Sequence, residues 1–350
     1  VTLAEHDIAS LSAALGAAGF PASHAPAILR AFYRGHGTID FSQLRVGPRI
    51  QAWLEREFLE PAIQSTILHR TTARDGTVKL LLGKHPADAV EAVLMPGYRP
   101  GRAAACVSSQ VGCAMGCDFC ASTRQGLSRN LAAREIVEQF LHLSREAKSQ
   151  DRRITSLVFM GMGEPMHNLP EVLPAIRRIA DPNLGGLGWR QVTVSTVGIV
   201  PGIAALADAD LNVHLALSLH APDDETRSRL IPSNRRWPVA QVLAAARDFQ
   251  DRTGRIVTIE YCLLSGENDS DAQATLLAEL LAADRMHVNV IPFNPIGPGM
   301  SGKLYARPPA DRIARFIDIL RSREIVCHKR DTRGDDVSAA CGQLRRQLTA

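Results

Sequence analysis

Residues 101–120 read GRAAACVSSQVGCAMGCDFC, and with the segment that follows they decide the fold. A short apolar run, AACVSS (104–109), leads into a loop crowded with cysteine. Apolar residues then recur at helical spacing in AAREIVEQFLHLSREA (132–147), and a second apolar run, SLVFM (156–160), completes the unit. Strand, helix, strand is the sequence form of a parallel sheet, because only a crossover lets the chain re-enter in the same direction. The pattern continues with VTVST (192–196), HLALSL (214–219), VTIEYCLL (257–264) and HVNVIPF (287–293). Six such runs, fewer than the eight of a closed TIM barrel, predict an α/β architecture built on a partial (β/α)6 barrel over residues 101–350.

Working outward, helix-period runs such as LSAALGAAGF (11–20) and APAILRAFYR (25–34) predict a helical accessory domain over residues 1–75. TVKLLLG (77–83) and AVEAVLM (89–95), separated by Lys84-His85-Pro86, predict a β-hairpin linker over 76–100. The 350 residues carry 40 Lys and Arg against 36 Asp and Glu, a net charge of +4, with 45% hydrophobic residues; these values exclude a disordered chain. No run approaches the ~18 apolar residues of a membrane span, and the N-terminus lacks a basic head before an apolar core, so a cytoplasmic, membrane-free protein is expected.

Polar residues close the strands. Gly163-Glu164 follow SLVFMGM, Ser195 follows VTV, Ser218 and His220 end HLALSLH, and Asn294 follows HVNVIPF. Ligands of α/β barrels bind where such strand ends converge. Ser, Gly and Asn also end strands for turn chemistry alone, so their weight lies in recurrence on successive strands. Three of the seven cysteines, Cys113, Cys117 and Cys120, fall in a Cys-x3-Cys-x2-Cys loop after the first core strand. Soft thiolates suit an iron–sulfur cluster or zinc. A structural zinc site wants four closed ligands in paired knuckles, and the sequence has no second knuckle.

That loop resembles the radical-SAM superfamily, in which three cysteines bind a 4Fe-4S cluster and S-adenosylmethionine takes the open iron. The resemblance extends through CVSSQVGCAMGCDFC (106–120), GLSRNL (126–131), VFMGMGEP (158–165), VTVSTVGIVP (192–201), LALSLHAPDDETRSRLIP (215–232), TIEYCLL (258–264), NVIPFNP (289–295) and TRGDDVSAACGQL (332–344) to the RlmN/Cfr family of radical-SAM RNA methyltransferases. It implies cluster ligation by Cys113, Cys117 and Cys120. It also implies S-adenosylmethionine binding by Gly163, Glu164, Ser195, Ser218, Leu219, His220 and Asn294, with Glu164 suited to the cofactor's ammonium and Ser195 and Asn294 to its carboxylate or ribose. Cys341 corresponds to the cysteine that becomes S-methylated, Cys106 to its resolving partner and Glu91 to a proton acceptor. Cys262 and Cys327, in apolar surroundings, read as structural.

An aromatic adenine carbon such as C2 is not nucleophilic, so direct transfer from a sulfonium fails. The family scheme uses two S-adenosylmethionine molecules per turnover: one methylates Cys341, and the other gives a 5′-deoxyadenosyl radical that activates that methyl group. Disulfide formation between Cys106 and Cys341 then releases the product. The implied partners are 23S rRNA and tRNA, with an electron donor such as flavodoxin, and the chain is expected to act as a monomer. Basic stretches 227–236 and 328–333 and Arg345-Arg346 are candidate phosphate contacts. Two alternatives are a Cfr-like C8 methyltransferase, favoured by Leu127 and the long approach GYRPGRAAAC (97–106), and a zinc-containing RNA-binding module. The Arg333-Gly334-Asp335-Asp336 run favours C2.

Overall fold

In the computed structural model, which describes residues 2–58 and 63–344, the strand-like runs pair into one ten-stranded sheet. Three helices come first: α1 (Ile8–Ala17), α2 (Ala25–Arg34) and α3 (Pro48–Phe58). They face each other with Leu11, Leu15, Ile28, Leu29, Phe32, Trp53 and Leu54, all buried. Asp7 starts α1 through a capping box, accepting from the Ser10 amide at 2.8 Å while Ser10 Oγ accepts from the Asp7 amide at 3.0 Å.

The strands β1 (Thr66–Thr72), β2 (Val78–Gly83) and β3 (Val90–Pro96) then run antiparallel. β1 lies inside the span expected to be helical. Its sequence, TILHRTT, is exposed or half-buried throughout, so it has no alternation of apolar and polar residues by which to be recognised. β3 pairs antiparallel with β4 (Arg102–Cys106), where the direction of the sheet changes. A small hairpin of β5 (Gln110–Gly112) and β6 (Leu127–Asn130) frames the cysteine loop. Helix α4 (Ala133–Ser149) follows and returns the chain to β7 (Arg153–Phe159), parallel to β4.

The remaining order is α5 (Leu169–Ala180), β8 (Val192–Thr196), α6 (Val200–Asp208), β9 (His214–Ser218), α7 (Asp224–Leu230), α8 (Val239–Thr253), β10 (Thr258–Leu263), α9 (Asp271–Leu281), β11 (His287–Pro292), α10 (Ala310–Ser322) and β12 (Cys327–Lys329). The parallel part runs β4-β7-β8-β9-β10-β11-β12. The six expected strands are thus joined by a three-residue seventh, β12, too short to show a period of its own. β1 and β12 are the two edges, so the barrel stays open. Among the described residues no helix is long and apolar enough to cross a membrane.

Helix α4 ties the layers together. Glu138 is fully buried, and its carboxylate accepts from the Gln64 and Ser65 amides at 3.1 and 2.9 Å while pairing with Arg134 at 3.0 Å. At the next residue, the Gln139 side chain holds both main-chain polar groups of Ser108: the Ser108 amide donates to Oε1 at 2.8 Å, and Nε2 donates to the Ser108 carbonyl at 3.0 Å. The chain leaving β4 toward the cysteine loop is thus pinned by the Gln139 side chain through the main chain of Ser108, while Val107 and Val111 are buried in the core.

Candidate active site

The turn after β7 is set by two glycines. A Cβ on Gly161 would lie 2.6 Å from Ser108 Oγ, and one on Gly163, which has φ +101°, would lie 2.6 Å from the Gln110 Cβ. Only glycine allows so close an approach and that backbone angle. The two segments are then stitched together: Met162 donates to Ser108 Oγ at 2.8 Å, and the Glu164 amide donates to Gln110 Oε1 at 2.8 Å. Glu164 is delivered to the strand ends with its carboxylate accepting from the Met166 amide at 3.1 Å and the Val197 amide at 2.9 Å. Burial pushes its pKa up to about 7, against the lowering by those two amides. A buried carboxylate with this balance is suited to a cationic ligand.

On the next strands, Ser195 Oγ and Ser218 Oγ stand 3.4 Å apart, and Thr196 Oγ1 accepts from the Gly198 and Ile199 amides, turning the chain into α6. His220 adopts φ +57°, and its Nδ1 accepts from the Cys262 amide at 2.9 Å, which leaves the ring proton on Nε2. Burial, and then Arg227, hold its pKa down to about 3, so it is a neutral donor. Its ring meets the edge of Phe119, from the cysteine loop, at 5.0 Å.

These groups line one cavity of about 830 Å³, with Cys117, Cys120, Gly163, Glu164, Ser195, Ser218, His220 and Cys341 on its wall. Side chains from β7 through β11 reach the same space, which requires the sheet to curve around it. Leu219 is not on this wall: its side chain is fully buried, its amide donates to the Glu260 carbonyl and its carbonyl accepts from Arg227. Two groups that the sequence reading passed over do face the cavity, Glu260 and Cys262. Cys262 had read as structural because it sits in an apolar strand, but the curvature points it inward, within electrostatic reach of Cys341 and Cys120.

The cysteine loop fits a cluster by the chemistry of its donors. Cys113, Cys117 and Cys120 are free thiols, and Cys113 and Cys117 are buried. Burial raises all three pKa values, Cys113 to about 12, and the neighbouring thiols raise them further. Three such thiolates need a nearby concentration of positive charge, which iron supplies. Among the described residues no three His, Cys, Asp or Glu are gathered to share a single ion. A four-iron cluster has no need of that, because each thiolate takes its own iron.

A second chamber, of about 540 Å³, opens behind the first and is lined by Cys106, Arg330, Asn294, Val93, Met95 and Val158. Cys341, Met160 and Ile291 belong to both walls, so Cys341 stands at the junction. The segment carrying it is clamped on two sides. The Gly342 carbonyl accepts from the Ala121 amide at 2.8 Å and the Leu344 carbonyl from Ser122 Oγ at 2.7 Å, while Asn294 Nδ2 donates to the Cys341 carbonyl at 3.2 Å. Asn294 therefore borders the second chamber rather than the first. Burial pushes the Cys106 thiol up to about 12 and Cys341 raises it further, while Arg330 pulls it down. Arg330 also approaches Glu260 at 3.5 Å.

Glu91 is on neither wall. It is 2% exposed and pairs with Lys79 Nζ at 3.0 Å. The same Lys79 donates to the Ser338 carbonyl at 3.2 Å, which joins the hairpin to the Cys341 segment. The basic stretch 227–236 divides. Arg227 is fully buried, donating to the Leu219 and Val197 carbonyls and to Asn234, and is a structural clamp rather than a phosphate contact. Arg229, Arg235 and Arg236 are exposed. Arg345 and Arg346 lie outside the described residues.

Residues 107–278 match the radical SAM superfamily model. A relative from Opitutus terrae, named a probable dual-specificity RNA methyltransferase RlmN 1, is 52% identical over 98% of this chain and 96% of its own length. The chain belongs to the RlmN family. Another member, from Symbiobacterium thermophilum, is 48% identical over 78% of this chain and 72% of its own. The crystal structure of a radical SAM methyltransferase from Sphaerobacter thermophilus superposes with a TM-score of 0.90 at 41% identity, covering 99% of this chain and all of that one. RlmN membership brings a 4Fe-4S cluster and S-adenosylmethionine as cofactors, and the zinc-module alternative falls with it.

Proposed function

We propose that this protein methylates C2 of an adenine in structured RNA, both 23S rRNA and the tRNA adenine beside the anticodon, through a methyl group carried on Cys341. The observation that carries the reading is the position of Cys341 on the shared wall of the two chambers. A group on its sulfur faces the cofactor cavity on one side and Cys106 on the other. The relatives' names, dual-specificity RNA methyltransferase, support the substrate class.

When bound, the cluster and S-adenosylmethionine supply the one-electron chemistry needed to activate an unreactive methyl group. The chain's residues do the rest. Cys113, Cys117 and Cys120 hold the cluster. Glu164 accepts the cofactor's ammonium, and the Ser195 and Ser218 hydroxyls and the His220 Nε2–H donate to its oxygens. Cys341 would take up a methyl group from one cofactor molecule and, after activation by a second, would present it to C2 of the adenine, so that a C2–CH2–S link joins RNA and protein and the surplus electron returns to the cluster. With Arg330 beside it to favour the thiolate, Cys106 attacks the Cys341 sulfur. The carbon–sulfur bond to the RNA breaks as the disulfide forms, its electron pair stays with the methylene carbon, which takes up a proton to become the methyl group, and a base takes the ring proton. Glu91 is the family's candidate for that base; reaching the chamber requires it to leave Lys79. An external donor such as flavodoxin would supply the electron for this chemistry, and the chain would work as a cytoplasmic monomer.

Nucleoside mass spectrometry of RNA treated with the anaerobically reconstituted protein tests the proposal. Appearance of 2-methyladenosine supports it; 8-methyladenosine alone would replace C2 by the C8 reading.

A further inference from the structure

The hairpin turn between β3 and β4 carries a feature that the reaction above does not use. Tyr98, at its tip, is 82% exposed. The turn that presents it is closed by main-chain bonds, Gly97 to the Arg102 carbonyl at 2.8 Å and Arg102 to the Arg99 carbonyl at 3.2 Å, with Pro96 and Pro100 limiting its freedom. The Arg333 guanidinium lies over the ring, 5.4 Å from its centre. Arg333 comes from the segment that leads to Cys341, so this contact joins the turn to the catalytic tail.

Beneath the pair runs an open groove of about 970 Å³, lined by Tyr98, Arg99, Arg102, Arg330 and Arg333, with Asp331 as its acid. Met95, Val158, Arg330, Asp331 and Arg333 are shared with the chamber that holds Cys106, so the groove is the outer approach to the reacting sulfur. Four arginines against one aspartate favour a polyanion. A rigid exposed aromatic, backed by a guanidinium, offers a flat face of base size, as single-strand nucleic-acid sites do.

We infer that this groove binds the unpaired strand of the RNA substrate beside its target adenine, with Tyr98 as the platform on which a flanking base stacks and Arg99 and Arg102 as phosphate contacts. The inference rests on the RNA reading above and adds to it a recognition residue on the exposed turn. Stacking on Tyr98 would hold the neighbour in place while the target base enters the chamber. An acidic electron-donor protein is the competing occupant, and it would be served by the arginines without the aromatic.

The test uses the full reconstituted protein with an RNA hairpin in which 2-aminopurine replaces, in turn, each nucleotide flanking the target adenine. Wild type and Tyr98→Phe should quench one of the two labelled hairpins. Tyr98→Ala should lose that quenching and raise KM for RNA roughly tenfold with kcat little changed, as expected for one lost base stack. Iron content and visible spectrum, unchanged in all three proteins, exclude a folding defect at this exposed site. Charge removal in Arg99→Gln/Arg102→Gln should flatten the salt dependence of binding. Equal quenching and KM in wild type and Tyr98→Ala would overturn the inference while leaving the RNA reading standing. Slower cluster reduction by an acidic flavoprotein in Tyr98→Ala, with RNA binding intact, would assign the groove to the electron donor. Failure of the wild type to bind the hairpin at all would overturn the RNA reading itself, and this inference with it.

Discussion

The two chambers that meet at Cys341 are built by different means. The front one is made of strand ends and the turns after them: Ser195 and Ser218 lie at the ends of β8 and β9, and Gly163, Glu164 and His220 in the turns that follow β7 and β9, so main-chain geometry fixes their positions. The rear one is closed by residues 332–344, a segment held by separate hydrogen bonds to the cysteine loop, Asn294, Lys79, the Arg74–Asp75 turn and Pro295. One half is shaped to bind, and in the proposed reaction the other works through groups that change partners during turnover. A clamp of single hydrogen bonds, each contributing about 1 kcal/mol, would suit a segment whose cysteine alternates, in that proposal, between methyl carrier and disulfide.

The difference is broken most severely at the junction. Cys341→Ala should abolish RNA methylation while leaving iron content and cofactor binding at wild-type levels, as read by nucleoside mass spectrometry beside the visible spectrum. Residual turnover would show that the two chambers communicate without this sulfur. Cys106→Ala should stop the reaction after one event, leaving a covalent protein–RNA adduct that appears as a gel-shifted band. A free methylated product from this variant would remove the resolving role of Cys106.

Gly163→Ala strikes the front chamber alone. Its Cβ would meet Gln110 Cβ at 2.6 Å at a φ of +101°, so a destabilisation of about 1–3 kcal/mol and a loss of S-adenosylmethionine binding of tenfold or more are expected. Isothermal titration and thermal denaturation would measure both. Unchanged affinity would mean that the turn is not what shapes the cofactor site.

The smallest effect concerns pH. Glu164 sits near 7 in the ligand-free protein because burial opposes its charge. A bound ammonium favours the carboxylate and lowers this pKa, so binding releases a proton and affinity rises with pH up to about 7. Below that pH the slope approaches tenfold per unit; above it the curve levels off. Glu164→Gln should bind more weakly with a flat profile over the same range. A wild-type profile that is equally flat would place the ammonium elsewhere.

Most of the front chamber was legible from local rules. Strand-terminal Gly163, Glu164, Ser195, Ser218 and His220, and the tight cysteine spacing, are short-range signals. What escaped depended on curvature and on distant pairing. Cys262 and Glu260 face inward because the sheet bends, which no period reveals. Arg330 lines the rear chamber and approaches Glu260, whereas the charge run HKRDTR reads from sequence as a set of phosphate contacts. Arg227 was misread for the same reason: its partners are main-chain carbonyls supplied by other loops. Leu219 was carried along by its neighbours in Ser218-Leu219-His220, although adjacent residues of an extended chain face opposite sides.

The central claim is that one sulfur serves both chambers, and the direct measurement is mass analysis of the Cys341 peptide. The protein, reconstituted anaerobically, would be incubated with methyl-labelled S-adenosylmethionine and reductant in the absence of RNA. One labelled methyl group is expected on Cys341, transferred to adenine when RNA is added to the isolated methylated protein with fresh unlabelled cofactor. Label that reaches adenine without ever residing on Cys341 would contradict it.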